Sequence, residues 1–296
     1  ESGDVKALAM KKWFNTNYQY IVPELEDDTE ISLSGTKPWD EYEEAKALGI
    51  ETKPVIIGAY TILKLTRYTG KKTAGDFVDD IVKAYQDIVK KCEKDQFAWE
   101  QFDEPALVQV MSLEDITLFH RIYDKILADK GSCKILLQTY FGDVRDVYQE
   151  LIRMPFDGIG LDFLEGKETG HLIRRYGFPQ EKVLFAGLVN GKNIWKNHYE
   201  KTLSVLKELK DKEIQTVLST SCSLLHVPYT LQYEEKLSGE YKAYFAFAQE
   251  KLLELKELSE LADQTSCQDN PAYQKNRRLF AGDRDCQKQE VTERLS

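Results

Sequence analysis

Apolar and polar positions along this chain follow two alternating periods. Short runs rich in β-branched and aromatic residues are each followed by a stretch in which apolar residues recur every three or four positions. That alternation marks repeated βα units around a parallel sheet. The strand segments are 14–22, 54–57, 97–102, 133–140, 158–163, 183–189 and 215–219. Between them lie amphipathic helices. Phe77, Ile81, Tyr85, Ile88 and Cys92 share one helical face, as do Phe119, Tyr123, Ile126 and Leu127 with Ile116. Ser112 and Asp115 have capping-box spacing ahead of the second of these, and Gly131 stands where a helix C-cap is expected. Val144, Val147, Tyr148 and Leu151 form a shorter stripe, and Tyr199, Leu203, Leu206 and Leu209 another. One long helix is expected over about 234–261, on Leu237, Tyr241, Phe245, Ala248, Leu252 and Leu255.

Seven strands suit neither common architecture directly. A closed parallel barrel needs eight. An open doubly wound sheet usually carries a glycine-rich phosphate loop, and neither GxGxxG nor GxxxxGK[ST] occurs here. The pattern therefore predicts an α/β fold of the (βα)8 TIM-barrel type that lacks its first strand in this chain. The domain spans 1–262, followed by a polar linker or tail over 263–296. An opening residue other than methionine fits a piece of something longer.

The net charge is −10, which argues against a general nucleic-acid surface. No apolar run reaches membrane-helix length, and no signal peptide precedes the first strand. Five cysteines without a CxxC pair predict a reduced, cytoplasmic protein with no disulfide framework.

In a parallel barrel, chemistry sits at the C-terminal strand ends. Those ends carry Asn15 and Tyr18, then Tyr60 and Thr61, then Asp103-Glu104, Gln138 and Tyr140, Asp162, Asn190, and Ser221-Cys222-Ser223 with His226. Together they predict a polar mouth able to take a ligand. Two adjacent acids at one strand end are costly unless paired or functional. Cys222, His226 and Asp162 could supply three metal ligands, but no HxC, HxH or HExxH pair anchors a site. No GxSxG is present to suggest a serine nucleophile.

Five segments, in order, resemble the cobalamin-independent methionine synthases. They are Met10-Lys11-Lys12-Trp13-Phe14-Asn15-Thr16-Asn17-Tyr18, Lys53-Pro54-Val55-Ile56-Ile57-Gly58, Phe102-Asp103-Glu104-Pro105, Gly187-Leu188-Val189-Asn190-Gly191 with Trp195, and Ser221-Cys222-Ser223-Leu224-Leu225-His226. The chain is similar to the family's N-terminal barrel only. Gln19, Lys11 and Ala59-Tyr60 depart from the usual residues, which touches the detail of the mouth rather than the family.

The resemblance implies a parent zinc-dependent methyltransferase without cobalamin. It moves a methyl group from a 5-methyltetrahydropteroyltriglutamate to homocysteine. Zinc and homocysteine belong to a C-terminal catalytic barrel, on which the N-terminal barrel packs. Lys12 matches the family lysine that contacts the folate polyglutamate, a task suited to a mobile point charge. Asn15, Tyr18, Asp103, Glu104 and Asn190 are the mouth candidates. No catalytic residue is expected in this chain. Asp162 and Cys222 look like remnants of a zinc set whose His-x-Cys pair is replaced by Gln138-Thr139-Tyr140, so no metal is expected. The alternative is a non-catalytic scaffold fragment with no ligand of its own.

Overall fold

The computed structural model describes residues 7–128, 130–281 and 293–294. The chain forms two compact units, Glu1–Gly187 and Leu188–Ser296. A six-stranded parallel sheet has the order β10-β9-β8-β7-β6-β4. Its strands are β4 (Val55–Ile57), β6 (Glu100–Asp103), β7 (Ile135–Gln138), β8 (Gly158–Asp162), β9 (Val183–Val189) and β10 (Thr216–Thr220). Every residue of β7 and β8 is buried, as expected of a parallel sheet covered on both faces. No closed barrel is present among the described residues, and the sheet has six strands where seven were expected.

The difference lies in segment 14–22. It is not one strand of the sheet. Met10–Lys12 (β1) and Gln19–Ile21 (β2) pair antiparallel as a separate hairpin, with Lys12 opposite Gln19. The intervening residues have turn chemistry. The Trp13 N–H donates to the Tyr18 carbonyl at 2.8 Å and the Thr16 hydroxyl to the Trp13 carbonyl at 2.7 Å. A second small pairing joins β3 (Glu24–Leu25) to β5 (Arg67–Tyr68).

In the first unit, helix α1 (Lys37–Ala47) buries Trp39 and Tyr42. Helix α2 (Ala59–Leu65) follows β4 directly. Helix α3 (Val78–Asp95) buries the predicted face, with Ile81, Tyr85, Ile88 and Cys92. Each large apolar side chain so buried contributes about 1.5–3 kcal/mol. Helix α4 (Leu113–Ala128) has the expected start, in which the Asp115 N–H donates to Ser112 Oγ and the Ser112 N–H to Asp115 Oδ2, both at 3.1 Å. Gly131 just beyond it takes φ +55°. Helices α5 (Tyr148–Arg153) and α6 (Thr169–Tyr176) complete this unit.

Cys92 and Cys133 are joined by a disulfide across 41 residues, with Cα atoms 5.9 Å apart. The expectation of no disulfide is corrected here. The end of the α3 apolar stripe and the residue just ahead of β7 are both buried in one place, a proximity that sequence separation does not reveal. Cys286 lies outside the described residues.

The second unit holds α7 (Tyr199–Asp211), α8 (Gly239–Lys242), α9 (Ala248–Ala262) and α10 (Pro271–Ala281). The single helix expected over 234–261 is two. Between α8 and α9 the backbone bonds to another loop instead of to itself. The Lys196 N–H donates to the Tyr244 carbonyl at 2.9 Å and the Ala246 N–H to the Ile194 carbonyl at 2.7 Å. The tail expected from 263 contains α10, whose Tyr273 joins Val189, Tyr199, Leu258 and Leu261 in one apolar cluster. Its polar composition hid the two residues that anchor it, Tyr273 and Asn276. Apart from Glu293 and Arg294, the tail beyond Ala281 lies outside the described residues.

Candidate functional site

The C-terminal ends of β6, β7 and β8 bring one group of side chains together in the first unit. The Asp103 carboxylate accepts from Gln101 Nε2 at 2.7 Å. Burial pushes its carboxyl up to about 6, while bonds from Gln101 and Tyr140 and the charge of Lys53 oppose that shift. Burial also lowers the Lys53 ammonium, with Asp103 opposing. The Lys53 Nζ lies 5.2 Å from the centre of the Phe185 ring, a cation–π contact. Sequence reasoning missed Lys53, because a lysine just ahead of a strand reads as an ordinary surface residue.

Asp162 closes off the end of β8. Its Oδ1 accepts the N–H groups of Leu164 and Glu165 at 2.8 and 3.0 Å, and its Oδ2 accepts that of Phe141 at 3.1 Å. Burial pushes this carboxyl up to about 6 against those bonds. Asp162 thus shapes the loops after β7 and β8. Gln138 fills the space left by Gly160, where an added Cβ would lie 2.0 Å from its Oε1.

The hairpin tip meets the same loops. Asn15 Nδ2 donates to Glu165 Oε2 at 3.0 Å. Phe14 lies 6.1 Å from Phe141, centre to centre, and Trp13 packs edge-on against both Phe14 and Tyr20. Phe14 and Phe141 both adopt left-handed backbone, at φ +50° and +72°. For bulky residues this is unusual and is held in place by the surroundings. Tyr18 is 46% exposed and turns at the tip, its N–H donating to Thr16 Oγ1 at 3.2 Å. Lys12 stands exposed at the end of β1.

Glu104 does not face this group. It is fully buried and accepts the N–H groups of Tyr60 and Thr61 at 2.9 and 2.7 Å, along with the hydroxyls of Thr61 and Tyr123. It therefore caps the first turn of α2 from the neighbouring strand. Burial still pushes it up to about 7. The close approach requires Gly58, where a Cβ would lie 2.2 Å from the Glu104 carboxyl. The Asp103-Glu104 doublet thus separates into one acid at the strand ends and one inside the fold.

In the second unit, Asn190 Oδ1 accepts the N–H groups of Lys192 and Asn193 at 2.8 and 2.9 Å, which makes it a turn cap. Cys222 is buried, and its carbonyl would sit 2.3 Å from a Cβ at Gly191. Among the described residues, no cluster of three or more His, Cys, Asp or Glu side chains could hold a metal. The donor chemistry agrees. Both Asp162 oxygens already take backbone hydrogens, and Gln138-Thr139-Tyr140 offers no imidazole or thiolate. These residues do not fit zinc.

Residues 2–214 match the N-terminal domain of the cobalamin-independent synthases. The chain belongs to that family. It is 50% identical over 280 residues to a 5-methyltetrahydropteroyltriglutamate–homocysteine methyltransferase of Campylobacter jejuni subsp. doylei, covering 95% of this chain and 37% of that protein. A protein of the same name from Lactococcus lactis subsp. cremoris is 52% identical over 261 residues, covering 88% of this chain and 34% of the relative. The chain thus spans about a third of the length of the curated relatives it matches. The structure of a B12-independent methionine synthase from Shewanella sp. W3-18-1 superposes with a TM-score of 0.57 at 19% identity, covering 83% of this chain and 71% of that one. This likeness concerns the fold. No helix among the described residues is long and apolar enough to cross a membrane.

Proposed function

We propose that this chain is the N-terminal part of a cytoplasmic, zinc-dependent methyltransferase that converts homocysteine to methionine with 5-methyltetrahydropteroyltriglutamate. In that reading, the chemistry and the zinc belong to a C-terminal barrel outside this chain. The share of this chain is to hold the folate tail and to pack against that barrel. The observation that carries the reading is the placement of Lys12. It stands exposed at the end of a hairpin whose tip is tied to the sheet by Asn15, Glu165 and the Phe14–Phe141 contact. A polyglutamate tail is a flexible row of carboxylates. A mobile ammonium on a fixed hairpin can attract such a row without rigid geometry.

Packing against a second barrel is supported by exposed apolar groups on the loops of the second unit. Trp195, Leu225, Tyr229, Tyr233 and Tyr241 are each more than half exposed. Aromatic residues in such numbers suit an interface core. Closure into an eight-stranded barrel is also part of the proposal. The edge strands β4 and β10 leave Val55 and Val217 46% and 43% exposed, as strands awaiting neighbours would.

A second reading is a scaffold with no ligand of its own. It draws on Glu104 and Asp162, whose carboxylates are occupied by the fold. Calorimetric titration of the chain with methyltetrahydropteroyl-triglutamate at low salt decides between the two. Binding that weakens in Lys12→Ala supports the folate-gripping role. No heat at any reachable concentration leaves the scaffold.

A further inference from the structure

The hairpin that presents Lys12 has little to hold its own shape. Its strands, Met10–Lys12 and Gln19–Ile21, have three residues each, and of those six only Tyr20 is partly buried. A two-stranded hairpin in water is marginal at best. Its order therefore depends on what its tip touches. Two contacts tie the tip to the loops after β7 and β8. Asn15 Nδ2 donates to Glu165 Oε2 at 3.0 Å, and the Phe14 ring lies 6.1 Å from the Phe141 ring.

Both contacts lead back to one carboxylate. Asp162 Oδ2 accepts the Phe141 N–H at 3.1 Å, and its Oδ1 accepts the N–H groups of Leu164 and Glu165 at 2.8 and 3.0 Å. Each residue that the hairpin tip meets is thus held through its own backbone by Asp162. The bond to Phe141 bears most, because that residue has φ +72°. A bulky side chain keeps such a backbone only where its surroundings fix it. The loop after β8 folds tightly on the same residue. The Thr169 hydroxyl donates to the Asp162 carbonyl at 2.6 Å, and a Cβ at Gly166 would lie 2.1 Å from that oxygen.

The residue type fits this task. Asp162 is 1% exposed, and burying a charge is costly. A neutral asparagine would avoid that cost, but its amide has a single acceptor oxygen. Two loops from two strands need an acceptor on each side, and a carboxylate supplies both.

We propose that Asp162 is the positioning residue of the Lys12 hairpin. One carboxylate fixes both loop contacts of the tip, and so sets where the Lys12 ammonium meets the folate tail. That last step rests on the folate reading above. Asp162 acts through backbone N–H groups and does not touch the ligand.

The test compares the 296-residue chain with Asp162→Asn, Glu165→Ala and Lys12→Ala, and with the first two each combined with Lys12→Ala. Hydrogen exchange reads the hairpin directly, at the Trp13 and Val22 amides, which donate to the Tyr18 and Ala9 carbonyls at 2.8 Å. In Asp162→Asn these amides should exchange roughly tenfold faster or more, and in Glu165→Ala, which breaks one contact, by less. The amides of α3 should keep the parent's rates. An equal loss of protection there makes Asp162 a general structural residue and overturns the proposal. Titration with methyltetrahydropteroyl-triglutamate reads the consequence. Asp162→Asn should weaken binding by up to the roughly two- to fivefold expected for loss of the Lys12 ion pair. It should add nothing in the Lys12→Ala background, because both act through one ammonium; additive losses overturn the proposal. Glu165→Ala leaves the buried carboxylate in place and so decides the question if Asp162→Asn does not fold. Hairpin amides that exchange in that variant as in the parent overturn the proposal. A parent chain that binds no triglutamate refutes the folate reading, while faster hairpin exchange in the variants still supports the positioning role.

Discussion

Replacing Glu100 by glutamine removes a charge that the fold has to neutralise. Glu100 opens β6, at the opposite end of the strand from Asp103, and is fully buried. Its Oε2 accepts a long bond from the Trp39 indole at 3.4 Å, and its Oε1 has no partner. Burial pushes its carboxyl from 4.5 up to about 8, with the Trp39 bond opposing only in part. The sign follows from proton binding. The folded state holds this proton more tightly than the unfolded one, so stability is lost as pH rises from the unfolded value towards the folded one. At pH 7 the folded carboxyl is still protonated while the unfolded one is ionised. With one pK unit equal to about 1.36 kcal/mol, the penalty at that pH is on the order of 3 kcal/mol. Glutamine resembles the protonated acid in shape and carries no such penalty. Glu100→Gln should therefore stabilise the chain by about 1–3 kcal/mol at pH 7, and by little at pH 4. Urea melts followed by tryptophan fluorescence at both pH values measure the difference. A variant no more stable than the parent at pH 7 refutes the reasoning, as does a gain of equal size at pH 4. Folate binding should be unchanged, because Glu100 lies at the opposite end of β6 from Asp103.

Three further outcomes follow from the same structure. Lys12→Ala should weaken triglutamate binding roughly two- to fivefold, as expected of an exposed ion pair, and leave monoglutamate binding unchanged; titrations at two salt concentrations should show the parent's salt dependence reduced. Gly166→Ala should cost about 1–3 kcal/mol in a denaturant melt, because its Cβ would lie 2.1 Å from the Asp162 carbonyl oxygen, an atom of the backbone. Reduction of the Cys92–Cys133 bond, or Cys133→Ser, should lower stability by up to about 4 kcal/mol for a closed loop of this length, and equal melts with and without reductant would contradict that.

The strands read most reliably from the sequence are those buried on both faces. Val183–Val189 is a continuous apolar run, and no other element competes for it. The hairpin at 10–21 was misread because alternating polarity does not distinguish one long strand from two short ones joined by Asn15-Thr16-Asn17, and the turn is fixed by local hydrogen bonds. The helix break near Tyr244 was invisible for a related reason. Its cause is a backbone contact with Ile194 and Lys196, about fifty positions away in the chain. The strand ends themselves were legible, and so was the Asp103-Glu104 doublet. The direction each acid faces was not, since it depends on Gly58 making room for Glu104. Lys53 opens one of the segments that resemble the family, but its place beside Asp103 and Phe185 is set only by what the fold brings around it.

The acids at the strand ends differ in how far the fold has already used them. A carboxylate can act on a ligand only with lone pairs that the protein has not already filled. Asp162 accepts three backbone hydrogens and Glu104 two backbone hydrogens and two hydroxyls, so both are set by the loops and helix they organise. Asp103 differs. It is bonded to side chains, Gln101 and Tyr140, and has the Lys53 charge beside it. Side-chain partners can rearrange around an incoming group more readily than backbone donors can. Of the acids named at this end of the sheet, Asp103 is therefore the one whose partners leave it able to respond to a ligand. Lys12 and its neighbour Lys11 are both exposed on β1. Exposed lysines can attract the anionic tail of the proposed reading, and Gln138-Thr139-Tyr140 offers none of the soft ligands of a zinc site.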